Sequence, residues 1–361
     1  MTATAERLAT MTLALVEIES VSRQEAAIVE HVRTSAPTGP TFGLVDDEDS
    51  CLLYLPVRRR TSLPLVLFAG HLDTVPIAGN SPGHRVPGRV HGRGSSDQKA
   101  GVAVMLALMQ DIAEGTLEPV LDAGFLFFGR EEIEVSALAP CLARNPGLAA
   151  DVALAIVTEP TDNAIEIGCL GNLNARVRVR GAAAHSARPW LGDNAVHAGI
   201  RALASIADLP VRDVEIDGLL YREVINVTTI AGGVAANVIP DELVATVNFR
   251  YAPNHAPAQA EARLRELLGH QRVRIEVLSN AAGGPVSVTN PLVQHLRTVG
   301  DLEVRPKQAW TPVAEFGEAG IPAVNCGPGD PGYAHTDDEQ VTDAALVRSH
   351  EVLSAWLAEA Q

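Results

Sequence analysis

Residues 65–76 read LVLFAGHLDTVP. Five apolar residues, 65–69, run without alternation, which predicts a strand buried on both faces and a sheet covered by helices. At its carboxyl end stand Gly70, His71, Leu72 and Asp73. Strand side chains repeat every second residue, so His71 and Asp73 share a direction. A neutral imidazole ligates zinc, and a nearby carboxylate can hold its other N–H and fix the tautomer. Ligand sites of open α/β sheets lie beyond the carboxyl ends of strands, where this pair falls. Taken alone, the pair reads more readily as a loop histidine beside a solvated aspartate. The other polar groups of the chain decide.

Working outward, the same arrangement recurs. A second apolar strand is expected over 121–128, followed by Gly129, Arg130, Glu131 and Glu132. A third, over 151–158, ends at Glu159-Pro160, where proline stops the strand. A short strand over 321–325 precedes GPGDPGYAHTDDE, which carries His335. Residues 51–57 make a further strand. The loop 77–94 runs into GRGSSDQKAG and an apolar helix over 102–112; Asp97 lies where that helix begins, a place that also favours a capping carboxylate. Leu8, Met11, Leu15 and Ile18 mark an opening amphipathic helix. Ser22-Arg23-Gln24-Glu25 has the capping-box pattern for a second helix through Val32. Helices are also expected over 291–299 and 342–359.

The middle of the chain differs. Residues 172–180, NLNARVRVR, alternate as a half-exposed strand does. A helix over 193–206, strands over 223–230 and 243–251, a helix over 256–268 and a strand over 273–278 follow. The order βαββαβ is that of a ferredoxin-like unit. The expectation is a larger α/β domain, 1–171 and 280–361, with helices on both faces of a mixed sheet and a smaller domain, 172–279, inserted in it.

Bulk numbers agree with two domains. The 361 residues exceed one ordinary core. Asp and Glu number 44 against 28 Lys and Arg, a formal charge of −16, which argues against nucleic-acid or anionic-membrane partners. The four cysteines, Cys51, Cys141, Cys169 and Cys326, form no CxxC pair. The N-terminal MTATAERLATMTLALVEIES has acids and no basic stretch, so no signal peptide is expected, and no apolar run reaches membrane-spanning length. A cytoplasmic enzyme or binding protein is the default expectation.

His71, Asp97, Glu132, Glu159 and His335 supply two imidazoles and three carboxylates. Borderline divalent metals accept such mixed N and O ligands. Five ligands exceed one tetrahedral zinc with an open position but suit two metals if one carboxylate bridges. Paired metals roughly 3.5–4 Å apart are a hydrolytic device, and Glu131 is then free to act as base.

GHLDTVP, GRGSSDQKAG, Glu131-Glu132, TEP, AHSARP, NVIP and AHTDDE, in this order along nearly the whole chain, resemble the dizinc amide-hydrolase family of acetylornithine deacetylase and succinyl-diaminopimelate desuccinylase. LGDNAVHAG, DGLLYRE, NVIPDELVATVNFRYAP and IPAVNCGPGDP are most similar to its actinobacterial desuccinylase branch. The resemblance implies a zinc-peptidase-like catalytic domain, two divalent ions (zinc, with cobalt as an alternative) and hydrolysis of the amide bond of an N-acyl amino acid. It implies that Asp97 bridges, His71 and Glu159 hold one metal, and Glu132 and His335 the other. Glu131 would be the base and Asp73 would orient His71. The inserted domain would serve as lid and homodimer contact, with His185 reaching the partner's active site and Asn237 and Arg250 contacting substrate. A cis Asp97–Gln98 peptide is implied too.

The chain departs from that pattern at Thr311-Pro312-Val313-Ala314-Glu315-Phe316, where related desuccinylases read TDVARF with an arginine that binds a substrate carboxylate. Glu315 and Pro312 replace the arginine and the aspartate. A bidentate contact thereby becomes a like-charge repulsion. This leaves open a related deacylase or dipeptidase with another substrate. More remotely, an inactive binding protein could keep the same fold.

Overall fold

The strand at 65–69 extends over Leu65–His71, with all of its residues buried. In the computed structural model, which describes residues 2–60, 62–133, 136–269 and 272–359, it lies inside an eight-stranded mixed sheet. Asp122–Phe128 pairs with it on one side and Val152–Val157 on the other, both parallel, and Ala323–Asn325 lies parallel to Val152–Val157. Cys51–Pro56 and then Phe42–Asp46 extend one edge antiparallel; Ile165–Ile167 and then Val304–Pro306 complete the other. The parallel centre is why these strands are apolar throughout rather than alternating.

Helices cover both faces. Leu65, Leu67 and Ala69 pack with Leu138, Cys141, Val313 and Phe316 from the helices Leu138–Arg144 and Val313–Glu318. On the opposite face Phe68 stacks on Phe125 at 5.3 Å and meets Trp356 of the terminal helix Asp343–Ala358 edge-on at 6.3 Å. The helix Lys99–Glu114 starts three residues before the expected 102. It ends at Gly115, whose φ of 74° suits a left-handed cap. Gly101 in its first turn lets the helix press on the sheet, since a Cβ there would lie 2.4 Å from the Thr158 main-chain oxygen.

The chain divides into two units: Met1–Gly168 with Ser287–Arg305 and Thr311–Gln361, and Cys169–Val286 with Pro306–Trp310. The second has a five-stranded antiparallel sheet. Leu219–Gly232, Glu242–Tyr251, Gly171–Arg180 and Val273–Ala281 stand in that order, the ferredoxin-like arrangement of the βαββαβ unit. The inward residues Leu173, Ala175, Val177 and Val179 meet Ala198, Leu203, Ala260 and Leu264 from the helices Ala195–Ala207 and Pro257–Leu267. An edge strand, Arg212–Ile216, is additional to the expected order.

Residues 22–25 are not a capping box. The second helix is Ala26–Ser35 with no side-chain cap; Glu25 instead accepts from the Arg23 amide, and the Ser22 hydroxyl is drawn to Asp73. The loop after residue 77 is not structureless either: His84–Val86 and Arg89–His91 pair in it, and Gln340–Thr342 joins them.

Candidate metal centre

Four neighbouring parallel strands, Asp122–Phe128, Leu65–His71, Val152–Val157 and Ala323–Asn325, present their carboxyl ends along one edge of the sheet. His71 ends its strand and pairs with Phe128 across the ladder. Glu131 and Glu132 follow Phe128 by three and four residues, Glu159 follows Val157 by two, and His335 stands on the loop after Asn325. Asp97 comes in from the turn before helix Lys99–Glu114, and its peptide bond to Gln98 is cis.

Asp97 lies between the two imidazoles. Its Oδ1 is 3.1 Å from His71 Nε2 and its Oδ2 is 3.4 Å from His335 Nε2. His71 Nε2 is also 3.8 Å from Glu159 Oε1, and His335 Nε2 is 3.0 Å from Glu132 Oε1. The potential ligand atoms of His71, Asp97 and Glu159 lie within 4.8 Å of one another, as do those of Asp97, Glu132 and His335. Glu131 adjoins them, grouped with His71 and Glu132. His71 is 1% exposed, whereas the His335 side chain is 51% exposed, so one half of the cluster is sealed and the other faces solvent.

The carboxyl groups of Asp97, Glu131, Glu132 and Glu159 crowd two imidazoles, and the protonation equilibria record the strain. Burial pushes the Glu131 carboxyl well above the carboxylate range; Glu159, Glu132 and Asp97 add to this, and His71 opposes it. Burial would lower His71, but its Asp97 hydrogen bond and the charges of Glu131, Asp97 and Asp73 hold it well above its usual value. His335 is raised to about 10 by Asp97 and Glu132. Asp97 stays below the usual range, its two imidazole partners outweighing burial. A packed set of imidazole and carboxylate donors with excess negative charge is what a divalent cation requires, so the residues present fit the metals that the sequence resemblance implies.

Asp73 is wired differently from the sequence expectation. The Nδ1 of His71 faces the main-chain oxygen of Asp73 at 3.0 Å, while the carboxylate is 3.6 Å away. The Asp73 carboxylate instead accepts the backbone N–H of Glu131 at 2.9 Å, that of Glu132 at 3.2 Å and the Ser22 hydroxyl at 2.6 Å. Glu339, 1% exposed, accepts the N–H groups of Ser96 and Asp97 at 3.1 and 3.0 Å and is paired with Arg93. Sequence reasoning took Ser22 for a helix cap and passed over Glu339. Glu339 closes the AHTDDE motif, and its place four residues after His335 was the available signal.

In the second unit, His185 and Asn237 are brought together by the short ladder of Ala184–His185 with Val238–Ile239, where the Ser186 amide donates to the Asn237 main-chain oxygen at 2.9 Å. Arg250 alternates on its strand, and its Nε donates to Asn248 at 3.2 Å. Glu315, in the first unit, interacts with Ser136 and Ala139 and shares a cavity with Leu142 and Ile321. Burial raises its carboxyl to about 7. Pro312 caps the start of that helix.

A family profile described as Peptidase family M20/M25/M40 matches residues 67–359. The chain is 40% identical over 351 residues to a protein named putative succinyl-diaminopimelate desuccinylase DapE from Mycobacterium tuberculosis, covering 96% of this chain and 97% of that one. It is 36% identical over 368 residues to a succinyl-diaminopimelate desuccinylase from Corynebacterium glutamicum, covering 97% and 95%. Its fold matches that of an M20 family metallo-carboxypeptidase from Sulfolobus solfataricus with a TM-score of 0.75 at 18% identity, over 99% of both chains. The profile spans most of the chain, and the curated relatives align from end to end, so this protein belongs to the peptidase family M20/M25/M40 and is a metal-dependent amide hydrolase.

Proposed function

We propose that this chain hydrolyses the amide bond of N-succinyl-diaminopimelate or a closely related N-acyl amino acid, with two divalent ions, zinc or cobalt, in its site. His71 and Glu159 would hold one, Glu132 and His335 the other, and Asp97 both. The observation that carries the reading is the seating of Asp97, one oxygen 3.1 Å from His71 Nε2 and the other 3.4 Å from His335 Nε2. Bound divalent metals polarise a scissile carbonyl and acidify the attacking water.

The chain's own residues do the rest. Glu131 takes a proton from water as its oxygen adds to the carbonyl carbon. It then gives that proton to the leaving nitrogen as the C–N bond breaks, releasing a carboxylic acid and an amine, between which the acid proton then passes to leave carboxylate and ammonium. Asp73 holds His71 with its main-chain oxygen and the Glu131 and Glu132 amides with its carboxylate, so one residue fixes a ligand and the base together. His185 serves the oxyanion from the partner subunit of a homodimer formed through the inserted domain, 172–279 by the sequence reading. Asn237 and Arg250 meet the substrate. The names and near full-length identity of the two desuccinylase relatives support the substrate class. The acidic charge fits a cytoplasmic enzyme without nucleic-acid or membrane partners.

Glu315 favours a second reading, a related deacylase or dipeptidase whose substrate is neutral or cationic at that end. It stands where the arginine is expected, and it is half-buried. Glu131→Gln retains shape but cannot accept the proton, so turnover should fall by at least about 10²–10⁴-fold with metal content unchanged. Near-normal turnover contradicts the mechanism. Running the wild type on N-succinyl-diaminopimelate and on neutral N-acyl amino acids decides between the two substrate readings.

A further inference from the structure

We propose that Gln98 is a positioning residue that fixes the Glu159 carboxylate for a divalent metal, with Thr158 setting the orientation of the Gln98 amide. Gln98 is fully buried, and its Nε2 donates to Glu159 Oε1 at 2.6 Å. The Thr158 hydroxyl donates to Gln98 Oε1 at 3.0 Å. The chemistry fixes this orientation: turning the amide over would bring its oxygen against a carboxylate oxygen. The niche is built for it. A Cβ on Gly70 would lie 3.0 Å from Gln98 Oε1, from Thr158 Oγ1 and from Met105 Sδ, so only the bare backbone of Gly70 leaves this room. Gly101 brings the helix that follows Gln98 down onto Thr158.

The effect falls on one carboxylate oxygen. Glu159 Oε1, which Gln98 holds, is also the oxygen 3.8 Å from His71 Nε2. A charge-assisted bond of this length fixes the carboxylate plane before any metal arrives. Partners of this kind change metal affinity by about 10–100-fold when removed. Methionine would fill a similar space without the donor. The proposal rests on the reading of His71, Asp97 and Glu159 as metal ligands.

The test is a titration of metal-free full-length protein with Zn²⁺ against a chromophoric chelator, with affinity rather than turnover as the readout. Gln98→Met should weaken one of two zinc equivalents by about 10–100-fold and leave the other unchanged. Thr158→Val should weaken the same equivalent by a smaller factor. The double variant should be no weaker than Gln98→Met, because the two residues act through one bond. Factors that multiply independently would mark a merely structural role and overturn the proposal. Single variants that both titrate like the wild type overturn it alone; a wild type that binds no zinc overturns it together with the functional reading. If circular dichroism shows that Gln98→Met has not folded, Thr158→Val decides, a loss supporting the proposal and unchanged affinity overturning it.

Discussion

Single residues decide the chemistry here, and Glu315 shows how environment overrides type. Its carboxyl is raised to about 7 by burial, against an ordinary 4.5. A folded-state value above the unfolded one means that stability is fully present below about pH 4.5 and lost as pH rises toward 7. Glu315→Gln removes that loss. Urea unfolding should find wild type and variant alike near pH 4, with the variant more stable by roughly 2–3 kcal/mol at pH 8. A constant difference between them across pH would contradict the burial assigned to this side chain. The residue scale is also where the sequence was most and least informative. His71, Glu132, Glu159 and His335 were legible as candidates because each lies at or beyond the carboxyl end of a strand. The Gln98–Glu159 and Asp73–Glu131 bonds were not, because they join residues 61 and 58 positions apart. No local pattern encodes such contacts.

At the scale of elements, the site exists because four parallel strands are neighbours. Runs of apolar residues announced those strands, but the runs do not say which pair together. The order that places Leu65–His71 between Asp122–Phe128 and Val152–Val157 comes from ladder registry and helix cover. The short strands His84–Val86, Arg89–His91 and Ile165–Ile167 escaped detection because three residues carry too little periodicity. The helix Lys99–Glu114 gives a direct check on how closely the elements fit. Replacing a helical glycine by alanine usually stabilises by up to about 1 kcal/mol. In Gly101→Ala the new Cβ would meet the Thr158 main chain at 2.4 Å, so the sign should reverse. A loss of about 1–3 kcal/mol in denaturant unfolding is expected, and a gain would show that helix and strand are not pressed together there.

At the scale of the whole molecule, length and the change from apolar to alternating strands foretold an inserted unit, since a half-exposed sheet needs cover on one face only. The −16 charge matches a chain that collects carboxylates around cations. The proposed dimer makes a claim that no isolated chain can meet. If His185 works across subunits, mixing His185→Ala with Glu131→Gln protomers should restore activity, because one site of each heterodimer then has both groups. A mixture that stays as inactive as its parents after verified subunit exchange excludes catalysis in trans.

The proposed two-metal hydrolytic site gathers around Asp97. The most direct measurement is the metal content of the active, metal-saturated protein, set beside that of Asp97→Ala. Two divalent ions per chain in the wild type, with fewer ions and no turnover in the variant, is the expected result. Full activity with one ion or none would contradict the account.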